Sequence, residues 1–138
     1  MRYMIALLLI LNCGTCEAMV DFELWKMKTE QARKSVKAII GEAENQGYEG
    51  MYAVAHAIRN RGTLRGVYGL NSPRVKQRKY STKTWDLASK AWLRSKDGKD
   101  PTRGADHWHN LRREGENYWT KVMEKTAEIG DHVFYRSK

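Results

Sequence analysis

The chain has 138 residues, which is enough for one domain with a hydrophobic core and too few for a multidomain architecture. Its formal net charge is +9 and its pI is about 9.7, so a polyanionic partner is expected: nucleic acid, an anionic membrane or an anionic cell wall. Five Trp and seven Tyr stand against two Phe, and such amphipathic aromatics suit either a core or a wet groove on which sugar rings stack.

The N-terminal segment has the pattern of an export signal. Arg2 provides a positive charge, residues 5–11 form a short apolar run, and Cys16 and Ala18 are small residues at the positions that a signal peptidase reads. The apolar run is too short for an ordinary membrane-spanning helix. Residues 1–18 are therefore predicted to be a signal peptide or a signal anchor with transient membrane contact, and a buried N-terminal helix is the alternative.

Both cysteines, Cys13 and Cys16, lie within this segment. If it is removed, the remaining domain, residues 19–138, has neither a disulfide nor a cysteine nucleophile. If it is retained, the two form a C-x-x-C pair without the βαβ context of a redox motif. Export also argues against nucleic acid as the partner, because nucleic acid is usually cytosolic.

The first helix is predicted over residues 29–44, because apolar side chains recur there at helical spacing. Thr29 is a suitable N-cap, and Glu30 suits the positive end of the helix dipole. The apolar positions are Ala32, Val36, Ile39, Ile40 and Ala43.

Two more helices are predicted, over residues 48–61 and 83–96. Gly62 is a good C-terminal residue for the earlier helix, and Gly98 ends the later one. Residues 62–82 between them are predicted to be a glycine-containing basic loop. Its four cations form either a solvated face or a specific binding surface; they are Arg74, Lys76, Arg78 and Lys79.

The C-terminal part is predicted to contain a small β structure. Residues 105–110 and 129–136 have the composition of strands, and we expect them to pair in antiparallel fashion. A polar segment over residues 118–125 is predicted to be helical. The predicted fold class is α+β, mainly α, with a small antiparallel β hairpin.

Glu42 is the leading candidate for a catalytic residue. It lies among Ile39, Ile40, Gly41 and Ala43, where an ionised carboxylate is unfavourable. Burial raises the pKa of a carboxyl group, and a carboxylic acid that is still protonated near neutral pH is a general acid. Gly41 is expected to leave room for a bulky ligand. The alternative is a Glu42 that lies at the helix edge and caps local amides.

Three histidines form a second candidate site. His107 and His109 are two residues apart, so on a strand their rings lie on one face. His132, on the predicted partner strand, could complete a zinc site of three imidazoles. The alternative is that these histidines contact a substrate or lie on the surface.

The sequence resembles the SleB/CwlJ family of cell-wall hydrolases, the spore-cortex-lytic type, over residues 35–136. Several motifs carry the resemblance in order: Gly41-Glu42-Ala43, residues 48–55, Asn60-Arg61, Asp100-Pro101-Thr102, Gly104-Ala105, His109-Asn110, Trp119 and residues 129–135.

This resemblance implies a lysozyme-like catalytic domain that cleaves peptidoglycan glycan strands between N-acetylmuramic acid and N-acetylglucosamine. The mechanism is that of a lytic transglycosylase, with Glu42 as the acid and then the base. No cofactor and no metal are implied, and we expect a monomer that is secreted, periplasmic or in the cell wall. The expected substrate-binding residues are Gln46, Tyr48, Asn60, Trp108, His109, Asn110 and His132, with Tyr48 and Trp108 as sugar platforms.

The sequence departs from the family at two places. Many members have a second glutamate where this chain has Gln46, and residues 62–82 lack the family's Gln-Phe-Ser/Thr stretch. Three alternatives stay open: a hydrolase with a second carboxylate, for which Glu44 and Glu49 are nearest in sequence; a zinc amidase or peptidase that cuts stem peptides; and a non-enzymatic wall-binding module. A bacterial role and phage lysis both suit the pattern.

Overall fold

The computed structural model describes residues 29–138. The predicted signal segment and both cysteines lie outside the described residues. The helices are α1 (Glu30–Ala43), α2 (Gly47–Arg61), α3 (Pro73–Lys76), α4 (Thr82–Arg94) and α5 (Leu111–Glu114), and the strands are β1 (His107–Asn110), β2 (Glu124–Ile129) and β3 (His132–Arg136).

Helix α1 forms as its sequence pattern predicts. The Thr29 side-chain oxygen accepts a hydrogen bond from the backbone N–H of Ala32, which satisfies one free donor of the first turn. Val36, Ile39 and Ile40 are buried on one face. Each buried aliphatic side chain of this kind stabilises the fold by roughly 1.5–3 kcal/mol, so this face anchors the helix that carries Glu42.

Helix α2 follows a short 3₁₀ turn, Glu44–Gln46, and it ends at Gly62. Gly62 has a φ of 71°, a left-handed conformation that glycine adopts without a steric penalty, and its N–H closes the last turn. Both ends of α2 agree with the prediction within one residue. Helices α1, α2 and α4 pack on one another around a common core that includes Met51, Val54 and Ala88.

The three strands form an antiparallel sheet in the order β1–β3–β2. The predicted pairing of the last strand with the segment before Asn110 is confirmed, with Trp108 opposite Phe134. The predicted helix over residues 118–125 is wrong beyond a 3₁₀ turn, Tyr118–Lys121, because β2 begins at Glu124. β2 is an edge strand with exposed and half-buried residues only, so it lacks the apolar alternation that identifies a strand.

The segment that was predicted to be a loop contains ordered structure next to α1. A 3₁₀ turn, Tyr68–Asn71, packs on α1, and Ser72 then caps α3 by accepting a hydrogen bond from the Val75 N–H. This placement brings the turn beside Glu42. None of the helices in residues 29–138 combines the length and apolar character needed to cross a bilayer.

Candidate active site

Glu42 lies in the last turn of α1, and its carboxylate receives one hydrogen bond on each oxygen. The backbone N–H of Gly69 donates to Oε1 at 2.6 Å. The indole N–H of Trp108, on β1, donates to Oε2 at 3.1 Å. Three distant parts of the chain therefore hold one side chain in a single orientation, as the positioning of a reactive group requires.

The contact between Gly41 and Gly69 explains how a backbone N–H reaches Glu42. A Cβ atom on Gly41 would lie 2.0 Å from the Gly69 carbonyl oxygen, and one on Gly69 would lie 2.7 Å from Cγ of Glu42. Only glycine fits at either position without a shift of the backbone. Gly41 therefore makes room for the 3₁₀ turn, and the expectation that it makes room for a ligand is wrong.

Glu42 opens onto a pocket of about 230 Å³ between α1, the Tyr68–Asn71 turn and β1. The lining mixes aromatic surface with charged and amide groups, a composition suited to a polar ligand with flat faces. It consists of Glu42, Arg61, Gly66, Tyr68, His107, Trp108, Glu114, Asn117 and Trp119.

Burial raises the pKa of the Glu42 carboxyl above its ordinary value. The hydrogen bonds from Gly69 and Trp108 stabilise the ionised form and oppose this effect without cancelling it. The negative charge of Glu114 raises the pKa further, and the positive charge of Arg113 lowers it. The net result is a carboxyl group that holds its proton to higher pH than an exposed glutamate does, which is the property of a general acid.

The sheet register separates the three histidines of the zinc hypothesis. In an antiparallel pair, directly opposite residues share a face. His132 is opposite Asn110, so it lies on the face of Asn110 and Trp108, whereas His107 and His109 lie on the other face. In residues 29–138, no three His, Cys, Asp or Glu side chains are grouped so that they could hold a metal ion. The predicted convergence of three imidazoles is therefore wrong.

A profile of the family described as Cell Wall Hydrolase matches residues 45–135. The chain belongs to this family. The assignment agrees with the family that the sequence motifs predict, so the hydrolase is an enzyme of the cell wall. The matched region begins three residues after Glu42, so the case for Glu42 rests on the geometry of the pocket. A search of curated proteins finds no match to the sequence.

Two solved structures resemble the hydrolase over most of its length. One is the catalytic domain of the germination-specific lytic transglycosylase SleB from Bacillus anthracis, with 27% identity over 75% of this chain and 91% of that one, at a TM-score of 0.56. The other is the catalytic domain of the Bacillus cereus SleB protein, with 28% identity over 74% and 86% of the two chains, at a TM-score of 0.52. They support the predicted mainly α fold with a small antiparallel sheet.

Gln46 and Tyr48 are two of the six expected substrate-binding residues that lie away from the pocket lining. Gln46 donates from Nε2 to Asp131 at 3.0 Å and accepts the Asp131 N–H at 2.7 Å, so it connects the turn between α1 and α2 to the β2–β3 turn. Tyr48 stacks on Tyr52, with ring centroids 5.9 Å apart, and lies near the Lys90 ammonium group. Neither side chain lines the pocket.

Both asparagines that were expected to contact substrate have their amide groups bonded within the protein. Asn60 donates to Asp100 and to the Ala105 carbonyl, each at 2.9 Å, and holds the loop before β1. Asn110 accepts two backbone N–H groups at the start of α5. Their hydrogen bonds therefore shape the chain around the pocket.

His109 and His132 are both buried. His109 contacts Glu114, Gly115 and Asn117, so it supports the segment that follows β1. His132 has an Nδ1 atom without a hydrogen-bond partner, and burial lowers the pKa of this imidazole. Of the expected substrate-binding residues, only Trp108 lines the pocket.

Sequence reasoning missed several residues of the pocket. Tyr68 and the Gly69 N–H come from the segment that was predicted to be a plain loop, and Glu114 and Asn117 come from a polar stretch without periodicity. Arg61 was noted as the end of a helix and as part of a family motif, and not as a residue of the site. The close spacing of Gly66 and Gly69 was the available signal, because glycine often marks a close approach between two backbone segments.

Proposed function

We propose that the hydrolase cleaves peptidoglycan glycan strands as a lytic transglycosylase, with Glu42 as its acid and base. The observation that carries the proposal is the setting of Glu42, a carboxyl group with a raised pKa that opens onto a pocket lined with aromatic side chains. The resemblance to a SleB catalytic domain described as a lytic transglycosylase supports the same chemistry.

The proposed reaction uses one carboxyl group twice. Glu42 donates its proton to the glycosidic oxygen between N-acetylmuramic acid and N-acetylglucosamine, and the bond from C1 of the muramoyl residue to that oxygen breaks. The muramoyl 6-hydroxyl then forms a bond to C1 and gives its proton to the Glu42 carboxylate. The acid is regenerated, no water is consumed, and the product ends in a 1,6-anhydro sugar.

The hydrogen bonds to Glu42 suit both halves of this cycle. A general acid works best when its pKa is near the operating pH, which the balance between burial and two donors favours. The Gly69 and Trp108 donors also stabilise the carboxylate that forms when the proton leaves. They hold the carboxylate in place to accept the proton of the 6-hydroxyl.

Aromatic side chains are proposed to bind the sugar rings. Tyr68 lines the pocket and is 79% exposed, which leaves its ring free to stack on a sugar. Trp108 and Trp119 add further aromatic surface to the lining. This set keeps Trp108 from the predicted pair of platforms, and Tyr68 and Trp119 take the place of Tyr48, which lies outside the lining.

Product analysis tests the proposal directly. The purified protein and its Glu42→Gln variant are incubated with peptidoglycan, and the soluble products are analysed by mass spectrometry. The wild type is expected to release anhydro-muropeptides, and the variant is expected to be slower by roughly 10²–10⁴-fold because it lacks the proton. Glu49→Gln is the matched control, because Glu49 is an exposed carboxylate on α2.

The other outcomes discriminate among the alternatives. Reducing-end sugars would show that water attacks C1 and that the enzyme hydrolyses the bond. Free stem peptides would show an amidase, and an active Glu42→Gln variant would remove Glu42 from the mechanism. A wild type that binds peptidoglycan and releases nothing would favour a wall-binding module.

We further propose that residues 1–18 direct export and that the protein acts as a monomer in the periplasm or cell wall. The pattern of a charged residue, a short apolar run and small residues supports export. The net charge of +9 favours retention on an anionic wall. N-terminal sequencing of the protein recovered outside the cytoplasm is expected to begin at Met19, and recovery in the cytoplasm alone would refute export.

A further inference from the structure

Glu114 lies on the same pocket as Glu42, although the two are distant in sequence. Within residues 29–138 these are the two carboxylates in the pocket lining. Glu44 and Glu49, the neighbours of Glu42 in sequence, are elsewhere: Glu44 pairs with Arg74, and Glu49 is exposed on α2. The chain therefore supplies a second carboxylate to the pocket, from the end of α5.

A buried histidine holds Glu114 in place. The Nδ1 atom of His109, whose side chain is fully buried, lies 2.9 Å from Oε2 of Glu114. The Nε2 atom of His109 faces the Gly115 carbonyl oxygen, which can only accept, so Nε2 carries a proton. The Asn117 amide nitrogen lies 3.2 Å from the Nδ1 atom of His109, so this imidazole contacts both Glu114 and the segment that follows it.

The Glu114 side chain remains half-exposed, at 51%. A carboxylate that is anchored on one side by a buried imidazole and open to the pocket on the other can face a bound ligand without being desolvated. It is also close enough to Glu42 for its negative charge to raise the pKa of that group. The two carboxyl groups therefore have different environments, one apolar and one polar, and such a difference separates the roles of an acid and an ionised partner.

We propose that Glu114 is a second catalytic carboxylate, whose negative charge faces the muramoyl C1 as the glycosidic bond breaks. C1 gains positive charge when Glu42 has protonated the leaving oxygen, and a fixed negative charge stabilises that transition state. Glu114 forms no bond and transfers no proton. This inference rests on the proposed glycan cleavage and adds a residue to it.

Other charged groups surround the two carboxylates and affect their titration. Arg113 lies beside Glu114 and opposes its effect on Glu42, and Asp131 and His132 approach from the β3 side. The remaining groups on the lining are Arg61, His107 and Tyr68, and His109 contacts Glu114 directly. A variant at position 114 changes one charge and leaves the others in place.

The test compares Glu114→Gln with Glu116→Gln on soluble, uncrosslinked glycan strands. Glu116 is an exposed carboxylate of the same segment and is not on the pocket lining, so its variant makes the same change in net charge. Glu114→Gln is expected to lower kcat by roughly 10- to 100-fold with a small change in KM, because the interaction is made only in the transition state.

The pH profile provides a second readout that a purely structural role would not change. Without the charge of Glu114, Glu42 loses its proton at lower pH, so the alkaline decline in the rate is expected to move to lower pH. Glu116→Gln is expected to leave both the rate and the profile as in the wild type. Circular dichroism confirms that both variants are folded.

The inference is overturned if Glu114→Gln matches Glu116→Gln in rate and in pH profile while the wild type is active. A lower melting temperature with an unchanged rate per folded molecule would also overturn it. A wild type without glycan-cleaving activity would instead refute the proposed function. Reducing-end products that depend on Glu114 would replace the transglycosylase by a hydrolase and would keep Glu114 catalytic.

Discussion

Glu42 and Asp100 are both partly buried carboxylates that accept hydrogen bonds, yet the protein shifts their pKa values in opposite directions. Burial raises the pKa of each. At Asp100, four donor groups outweigh burial and lower the pKa: the Thr102 hydroxyl, the Asn60 amide and the backbone N–H groups of Thr102 and Gly104. At Glu42, the two donors do not outweigh the effect of burial, so the pKa of this carboxyl is raised.

This difference is the one expected between a structural carboxylate and the catalytic acid that we propose for Glu42. Asp100 is surrounded by its own loop, and its hydrogen bonds fix the turn that leads to β1. Glu42 has one donor per oxygen and opens onto the pocket, so part of its hydrogen-bonding capacity is left for a ligand. The number of donors, and not burial alone, decides which role a carboxylate has.

The largest expected effect comes from a substitution at Gly41, because the lack of a side chain there allows the Gly69 backbone to approach Glu42. In Gly41→Ala the new Cβ meets the Gly69 backbone at 2.0 Å, so the turn must shift, at a cost of about 3 kcal/mol. Activity is expected to fall with stability, because the Gly69 donor moves away from Glu42. Thermal unfolding and product release measure the two effects.

Gly47→Ala is the control for this substitution. Its Cβ meets nothing within 4 Å, but its φ of 67° and ψ of −167° lie in a region that is essentially restricted to glycine, so roughly 1–3 kcal/mol of stability is lost. Its activity per folded molecule is expected to equal that of the wild type. Equal activity in Gly41→Ala would mean that the Gly69 contact is dispensable for Glu42.

Asp100→Asn is expected to act on stability alone. Removing the charge weakens several charge-assisted hydrogen bonds, which lowers the free energy of unfolding by about 2 kcal/mol at neutral pH. Because the folded-state pKa of Asp100 is lowered, this contribution is present above the ordinary carboxyl pKa and is lost as the pH falls through the lowered value. Urea unfolding at several pH values measures it.

The exposed neighbour Asp97 provides the comparison for Asp100. Asp97→Asn is expected to change the free energy of unfolding by less than about 0.5 kcal/mol. If Asp100→Asn and Asp97→Asn behave alike at all pH values, the hydrogen bonds of the loop do not stabilise the fold, and the contrast with Glu42 is lost.

Trp108→Phe tests the second donor of Glu42 and preserves an aromatic ring. The lost N–H stabilised the carboxylate, so the pKa of Glu42 is expected to rise and the alkaline decline in the rate to move to higher pH. This is the opposite direction from Glu114→Gln. A loss of about one hydrogen bond lowers the rate by roughly tenfold.

Whether Trp108 donates to the ionised Glu42 is decided by the direction in which the alkaline decline of the rate moves. An alkaline decline that stays in place or moves to lower pH would show that the indole N–H does not donate to the ionised Glu42. Trp92→Phe is the control, since Trp92 lies outside the pocket and stacks on the Arg59 guanidinium group. Its pH profile is expected to match that of the wild type.

The smallest effect is expected at the exposed ion pair between Arg74 and Glu44. Arg74 is exposed and solvent screens its charge, so Arg74→Gln is expected to change the free energy of unfolding very little and to leave the pH profile unchanged. A shift in the pH profile would mean that the positive charge of Arg74 affects the pKa of Glu42. Chemical denaturation and the rate profile decide this.

The local patterns predicted most of the helical framework. Thr29, Gly62 and the apolar faces of α1 and α2 are short-range signals, and the structure agrees with them within one or two residues. The strand that begins at Glu124 was missed because one edge of the sheet carries polar side chains. The ordered turn after Tyr68 was missed because its stability comes from packing on α1, which no local pattern records.

The sequence by itself determined the three long helices and the pairing of the last strand, because caps and periodicity are local properties of the chain. Its ordered motifs indicated the family and made Glu42 the leading candidate for the catalytic residue. Only the tertiary structure decided which groups meet Glu42. Gly69, Trp108 and Glu114 come from three separate segments, and their approach depends on a backbone contact at Gly41 and on the register of β1 with β3. The pKa of Glu42 follows from that assembly, since burial and nearby charge depend on distances in space.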